Sequence, residues 1–223
     1  MTEDGKPRFT RKGQATRTRI IDVAARLMFE RGVANTSIDE VRASAGVGGS
    51  QISHYFRDKR DLTREVIAAR RDDVIEFHSQ PRLAALDSIE ALQAWANACV
   101  DDIDTVYRLG GCVYGSLAGE LIEADNEVRD DLARGYDQWL ELFHTGLIAM
   151  RQRGGLRPDA DPRHLAASLV IAHQGGAMIT HATGDAEPLR VAVNAAVDYV
   201  RSFAVDPGTG KRGARPSAQR SPR

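Results

Sequence analysis

Between Thr36 and Lys59 the sequence TSIDEVRASAGVGGSQISHYFRDK has room for two short helices separated by a tight turn. Ser37 with Glu40 three residues on is the spacing at which a hydroxyl and a carboxylate cover each other's open amides, so a helix starts there. Ile38, Val41 and Ala45 share one face of that helix. Gly46 supplies the left-handed residue that stops it, and Val47 drops an apolar side chain into the corner. A second helix from about Gly49 to Phe56 turns Ile52, Tyr55 and Phe56 inward. Ser50, Gln51, Ser53 and His54 are left outward, all small or polar and able to hydrogen-bond. The pair reads as a helix-turn-helix, and an outward face without a long charged stripe suits a groove lined with base edges.

A helix from Ala15 to Arg31 precedes the pair, with Ile20, Ala24, Leu27 and Met28 on one stripe and Gly32 at its end. The three make a head over residues 15–60. Charge separates this head from the rest. Residues 1–60 hold 12 Lys and Arg against 7 Asp and Glu, whereas residues 61–206 hold 13 against 24. A polyanion is drawn to the first part and repelled by the second, which favours one orientation on DNA. Residues 1–14 read as a flexible basic arm, either a solvated tail or, through Lys6, Arg8, Arg11 and Lys12, a strand along phosphates.

Over roughly residues 15–62 the chain resembles the TetR family of bacterial transcriptional repressors. Ile38, Val41, Ala45, Gly46, Val47, Ile52, Tyr55, Phe56, Lys59 and Leu62 sit where that family's pattern places its core, turn and phosphate-contacting positions. The sequence departs from the pattern at Gly48, Gly49 and Ser53, where the family often has serine, a basic residue and tyrosine. Position then assigns roles in the head. Backbone amides near Thr36 and Ser37, and near Asp58 and Lys59, aim helix N-termini at phosphates, while Tyr55 and Lys59 add a hydroxyl and a charge. Such contacts position the protein without reading sequence. Gln51 and His54 reach base edges; a bidentate glutamine–adenine pair discriminates by ~1–3 kcal/mol. Gly48 and Gly49 remove side chains at the helix start, so the backbone can approach the phosphates closely.

Beyond the head everything reads as helix, about nine in all, giving an all-α chain with a helical body over residues 61–205. A long connector runs from Asp58 to about Ser79, with Leu62, Val66, Ala69, Val74 and Phe77 inward, and ends at Gln80–Pro81. Helices follow over Ser88–Arg108, Cys112–Ala124, Asn126–Arg153, Pro162–Thr183 and Glu187–Val205. The helix through His164 to Thr183 is apolar on nearly every side, and such a helix must be buried. It reads as packed on its own chain on one side and on a symmetry mate on the other. That makes Leu165, Leu169, Ala172, Gly176 and Ile179, with Val193 and Val197 of the last helix, the candidate interface of a homodimer; burial in the monomer core alone is the competing reading. The resemblance implies the same: its members pair through a four-helix bundle of their last two long helices. A two-fold dimer presents two reading helices and needs a roughly palindromic operator of double-stranded DNA, with half-sites spaced by ~34 Å or a small multiple.

The resemblance also implies an effector pocket among the helices after the connector. Trp95, Cys99, Tyr107, Cys112, Tyr114, Leu117, Trp139, Phe143 and His173 are its candidate walls, and their character points to an apolar or aromatic small molecule. For any one of them, plain core is the competing reading. Cys112 stands at a glycine-cysteine helix start found in one branch of the family. It reads as a pocket wall, as a buried inert thiol, or as a thiol activated by a helix N-terminus to sense electrophiles or oxidants.

No HExxH, GxSxG, Walker or dinucleotide fingerprint occurs, and neither the six histidines nor Cys99 and Cys112 have metal-ligand spacing. No enzyme activity, metal or cofactor is therefore expected; a helical-bundle carrier or enzyme is the rival reading. No stretch reaches the roughly 18 apolar residues of a membrane helix, and the N-terminus lacks a signal peptide's apolar segment. Both point to a cytoplasmic protein that spans no membrane. Residues 206–223 carry five positive charges and almost nothing apolar, and read as a disordered basic tail.

Overall fold

Short polar caps decide where each helix begins. In the computed structural model, which describes residues 9–83, 85–121, 123 and 125–205, Thr10 Oγ1 accepts the amide of Gly13 at 3.2 Å and opens α1, Arg11–Arg31. That start lies four residues before the expected one, because Thr10 is a cap that an apolar stripe cannot reveal. Residues 1–8 of the basic arm and the tail 206–223 lie outside the described residues. Ser37 and Glu40 form the reciprocal cap that opens α2, Ile38–Ser44. Gly46, at φ +63°, turns the chain into α3, Gly49–Tyr55. Asp58 caps the connector α4, Lys59–His78.

The body follows as α5, Ile89–Asp101; α6, Gly115–Leu121; α7, Asn126–Gln152; α8, Pro162–Thr183; and α9, Glu187–Arg201. Besides these nine helices the described residues hold shorter helical turns, such as Pro81–Leu83, connecting loops and one isolated bridge, Leu156 to Ala204, with no strand among them. None of these helices is long and apolar enough to cross a membrane.

The expected single helix over Ser88–Arg108 is interrupted. After α5 the chain widens into a π-helical turn, Ile103–Tyr107, in which the Tyr107 amide reaches back five residues to the Asp102 carbonyl at 3.3 Å. One extra residue in the turn rotates everything after it, and such bulges are frequent at functional sites. Tyr107, buried at the end of this turn, faces the interior. A last helical turn, Arg108–Gly110, then meets the head: a Cβ on Gly110 would lie 2.4 Å from the ring of Phe29 on α1, so a larger residue there would have to displace that ring.

Head and body share one continuous core. Ile20, Met28, Val41, Ile52 and Phe56 pack with Leu62 and Val66 of α4, and that core continues through Trp95, Trp139, Phe143 and Leu147 to Leu165, Val193 and Val197. Each such side chain contributes ~1.5–3 kcal/mol by leaving water. A guanidinium clamp holds the start of α4 to the start of α7: Arg60 pairs with Asp125 and, at 2.7 Å, with Glu127, while Arg64 pairs with Asp131 and, at 3.0 Å, with Glu127. The Arg60 hydrogen bond holds the Asp125 carboxyl well below the usual carboxylate range.

Candidate DNA-reading face and effector cavity

The outer face of α3 is arranged as the spacing predicts. Ser50, Gln51, Ser53 and His54 are exposed, Ile52 and Phe56 are buried, and Tyr55 is half-buried. Local hydrogen bonds sort these residues further. Gln51 Oε1 accepts the Gly48 amide at 3.1 Å, so this side chain closes the helix N-terminus that Gly48 cannot close itself. Ser53 donates its hydroxyl to the Gly49 carbonyl at 3.1 Å, which turns it back into its own helix. His54 and Ser50 make no such bond. Phe9, just before α1, sets its ring edge-on to His54 at 5.8 Å and to Tyr55 at 5.1 Å. Phe9 escaped sequence reasoning because it precedes every periodic segment.

Several expected phosphate contacts are already committed within the chain. Thr36 is buried and donates its hydroxyl to Gly32, so it presents nothing to DNA. The Ser37 amide is taken by Glu40, whose carboxyl that bond holds below its ordinary range. With Asp39 alongside, the start of α2 is too acidic to welcome phosphate. Lys59 donates to the Ala34 carbonyl at 3.2 Å and keeps two further ammonium protons. The candidate DNA contacts not already committed in this way are Gly48–Gly49, Ser50, His54, Tyr55 and Lys59, while the Gln51 side chain is engaged in its cap.

A cavity of about 240 Å³ lies between α4, α5, the π-helical turn, α7 and α8. Trp95, Cys99, Tyr107, Cys112, Trp139 and His173 line it, as the sequence suggests. Tyr114, Leu117 and Phe143 stand behind the wall instead: Phe143 backs Trp95 edge-on at 5.0 Å, and Tyr114 donates to the Leu132 carbonyl across Gly135. The connector supplies what was missing, with Val74, Phe77 and His78 inside and Arg70 and Asp73 also on the wall, alongside Asp102, Val106 and Val113. Val74 and Phe77 were legible as an inward face of α4; His78 at its end was not.

His78 is the centre of the cavity wall. Its Nδ1 lies 2.7 Å from the Val74 carbonyl, and the indole N–H groups of Trp95 and Trp139 both point at its Nε2. Burial drives its pKa down to about 4, so it is neutral. His173, 2.7 Å from the Tyr107 hydroxyl, is pushed down to about 3 by burial and, secondarily, by His78. Burial also raises both thiols, Cys112 despite the Gly115 amide and Gln174 that donate to it. Burial thus works against an activated Cys112, since a raised pKa lowers the thiolate fraction at neutral pH.

The dimer residues need correction. Leu165, Leu169, Val193 and Val197 are at 0–1% exposure inside the single chain, and a Cβ on Gly176 would lie 2.9 Å from the backbone of Leu189. They join α8 to α9 and to the body, so these enclosed residues have no surface left to meet a partner, while Ala172 is half-buried at the edge of the same core. The outward apolar stripe is Ile171, Met178 and Ile179 on α8 with Val191 and Tyr199 on α9. Of the expected set only Ile179 belongs to it. A helix apolar all round does not announce which side its own chain will cover.

A three-helix head with an exposed reading face, joined by one long helix to a cavity-bearing body, defines a helix-turn-helix transcriptional regulator with a ligand-binding domain. Comparison with known proteins is more specific. The family description "Bacterial regulatory proteins, tetR family" matches residues 20–66, and "Tetracyclin repressor-like, C-terminal domain" matches residues 88–196. The HTH-type transcriptional repressor DhaR of Mycobacterium sp. (strain GP1) is 24% identical over 174 residues, covering 78% of this chain and 86% of its own. The HTH-type transcriptional repressor KstR2 of Rhodococcus jostii (strain RHA1) is 26% identical over 145 residues, covering 65% and 70%. A crystal structure of a TetR-family regulator from Cytophaga hutchinsonii shares the fold with a TM-score of 0.78 at 19% identity, over 89% of this chain and all of that one. The chain belongs to the TetR family of bacterial transcriptional regulators.

Proposed function

We propose that this protein works as a homodimeric repressor that leaves a palindromic operator when a small, largely apolar molecule enters the cavity. The observation that carries the reading is the span of α4. At its start Leu62 and Val66 belong to the head's core, and at its end Val74, Phe77 and His78 form the cavity wall. A ligand that favours a shifted wall shifts the head with it, and only such a difference in affinity between two states lowers DNA binding. Pairing through Ile171, Met178, Val191 and Tyr199 sets the two α3 helices for half-sites about 34 Å apart or a small multiple.

Electrophoretic mobility shift with DNA from upstream of the protein's own gene, followed by footprinting, tests this reading. Two protected half-sites related by a dyad, and release by extracts that contain the effector, are expected. Equal affinity for operator and scrambled DNA would overturn it.

A further inference from the structure

The cavity directs two hydrogen-bond donors at a single lone pair. The Val74 carbonyl facing His78 Nδ1 at 2.7 Å can only accept, so Nδ1 carries the proton and Nε2 has one in-plane lone pair. Two N–H groups converge on it, the indole of Trp95 at 3.1 Å and that of Trp139 at 3.0 Å. Neither can be bonded at full strength while the other is there. Both indoles are closed to bulk solvent, at 0% and 1% exposure, and a buried donor left short of an acceptor is destabilising. A carbonyl oxygen brought into the cavity takes one indole outright and leaves His78 to the other.

Charge narrows the class further. Of the ionisable groups on the wall, Arg70 is paired with Asp73 at 2.8 Å, and Asp102 has no ion-pair partner among the described residues. The surplus is negative, and both histidines are neutral, so an anion finds no counter-charge inside. Size narrows it again: 240 Å³ lies just below the ~300–1,000 Å³ of sites for drug-sized ligands.

We propose that the effector is an uncharged molecule of one or two apolar or aromatic rings carrying a carbonyl-type acceptor, a ketone, ester or amide, which bonds the indole N–H of Trp95 or Trp139. This inference rests on reading the cavity as the effector site.

Isothermal titration of the full chain with acetophenone, cumene and benzoate tests it, because the three share a ring and nearly a shape. Acetophenone is expected to bind at least tenfold more tightly than cumene, and benzoate no better than cumene. Equal binding of cumene and acetophenone, or tightest binding of benzoate, overturns the inference while leaving the cavity as the effector site. Trp95→Phe and Trp139→Phe, taken singly, each leave one donor facing one lone pair. In either variant the acetophenone preference should fall towards unity with cumene affinity little changed; a preference kept in both overturns the inference. The wild-type comparison stands even where a variant melts early. Binding of none of the three rejects the cavity itself, and the inference with it.

Discussion

Glu120 Oε2 accepts a hydrogen bond from the backbone amide of Val33 at 2.6 Å, so the last turn of α6 holds the loop that leads into α2 of the head. The other end of the same short helix follows Cys112 and Val113 on the cavity wall. Seven residues of helix thus join the cavity to the head. Glu120→Ala is expected to reduce the loss of operator affinity caused by effector several-fold, with a stability change of ~1 kcal/mol or less at this exposed side chain. Glu120→Gln, which keeps an acceptor oxygen, should retain most of the response. Fluorescence anisotropy of labelled operator with and without ligand reads both; full response in the alanine variant would show that α6 transmits nothing.

The features legible in the sequence are those written locally. Ser37 with Glu40, Gly46 between two apolar corners, and the stripes of α4 and α7 lie within a few residues of what they determine. Their reading survives because capping, chain reversal and helical periodicity act over one or two turns. His78 shows the opposite case. Nothing in Glu76-Phe77-His78-Ser79 reveals a buried acceptor, since its donors lie 17 and 61 residues further along the chain. The outer side of α8 was hidden for a related reason: Leu169 and Ile171 are equivalent by hydropathy, and only the packing of α7 and α9 buries one and exposes the other.

That packing gives a paired prediction. Ile171, 69% exposed, and Met178, 68% exposed, lie on the outward stripe, whereas Leu169 is fully enclosed. Ile171→Glu with Met178→Glu is expected to yield a folded monomer by sedimentation velocity, with operator affinity down at least a hundredfold because one head alone binds a half-site. Leu169→Ala should instead lower unfolding free energy by ~2–5 kcal/mol and leave the surviving protein dimeric. A dimer that persists in the double glutamate variant would place the interface elsewhere.

The two buried histidines predict a pH dependence of stability. In the unfolded chain both titrate near 6.5, whereas folded His78 and His173 titrate near 4 and 3. Between those values the unfolded state binds protons that the folded state refuses, so stability falls as pH drops below about 6.5. The decline continues until the folded pKa values are passed. Each histidine contributes a slope of ~1.4 kcal/mol per pH unit in that window. Urea denaturation between pH 7 and 5 should show the combined slope, and His173→Asn should remove one proton's share. A pH-independent midpoint over this interval would mean that neither ring is held neutral.

The reading face yields the most discriminating prediction, because its four polar residues are not equivalent. His54 projects from α3 with its ring braced by Phe9, free of any bond within its own helix. His54→Ala should therefore lower the preference for operator over scrambled DNA by ~1–3 kcal/mol, the value of a good base-edge contact. Its salt dependence should barely change, since no phosphate charge is lost. Ser53→Ala removes a hydroxyl already given to Gly49 and should be nearly silent. Lys59→Ala should weaken binding to all DNA alike and reduce the salt slope by ~1, as expected for one lost phosphate contact. Gln51→Ala combines two losses, the cap on Gly48 and a base contact, so it alone should reduce both thermal stability and sequence preference. Anisotropy titrations of the four variants on operator and scrambled duplexes at several salt concentrations separate these signatures. If His54 followed the salt pattern of Lys59, its ring would lie along the backbone, and α3 would sit in the groove rotated so that His54 faces a phosphate rather than a base edge.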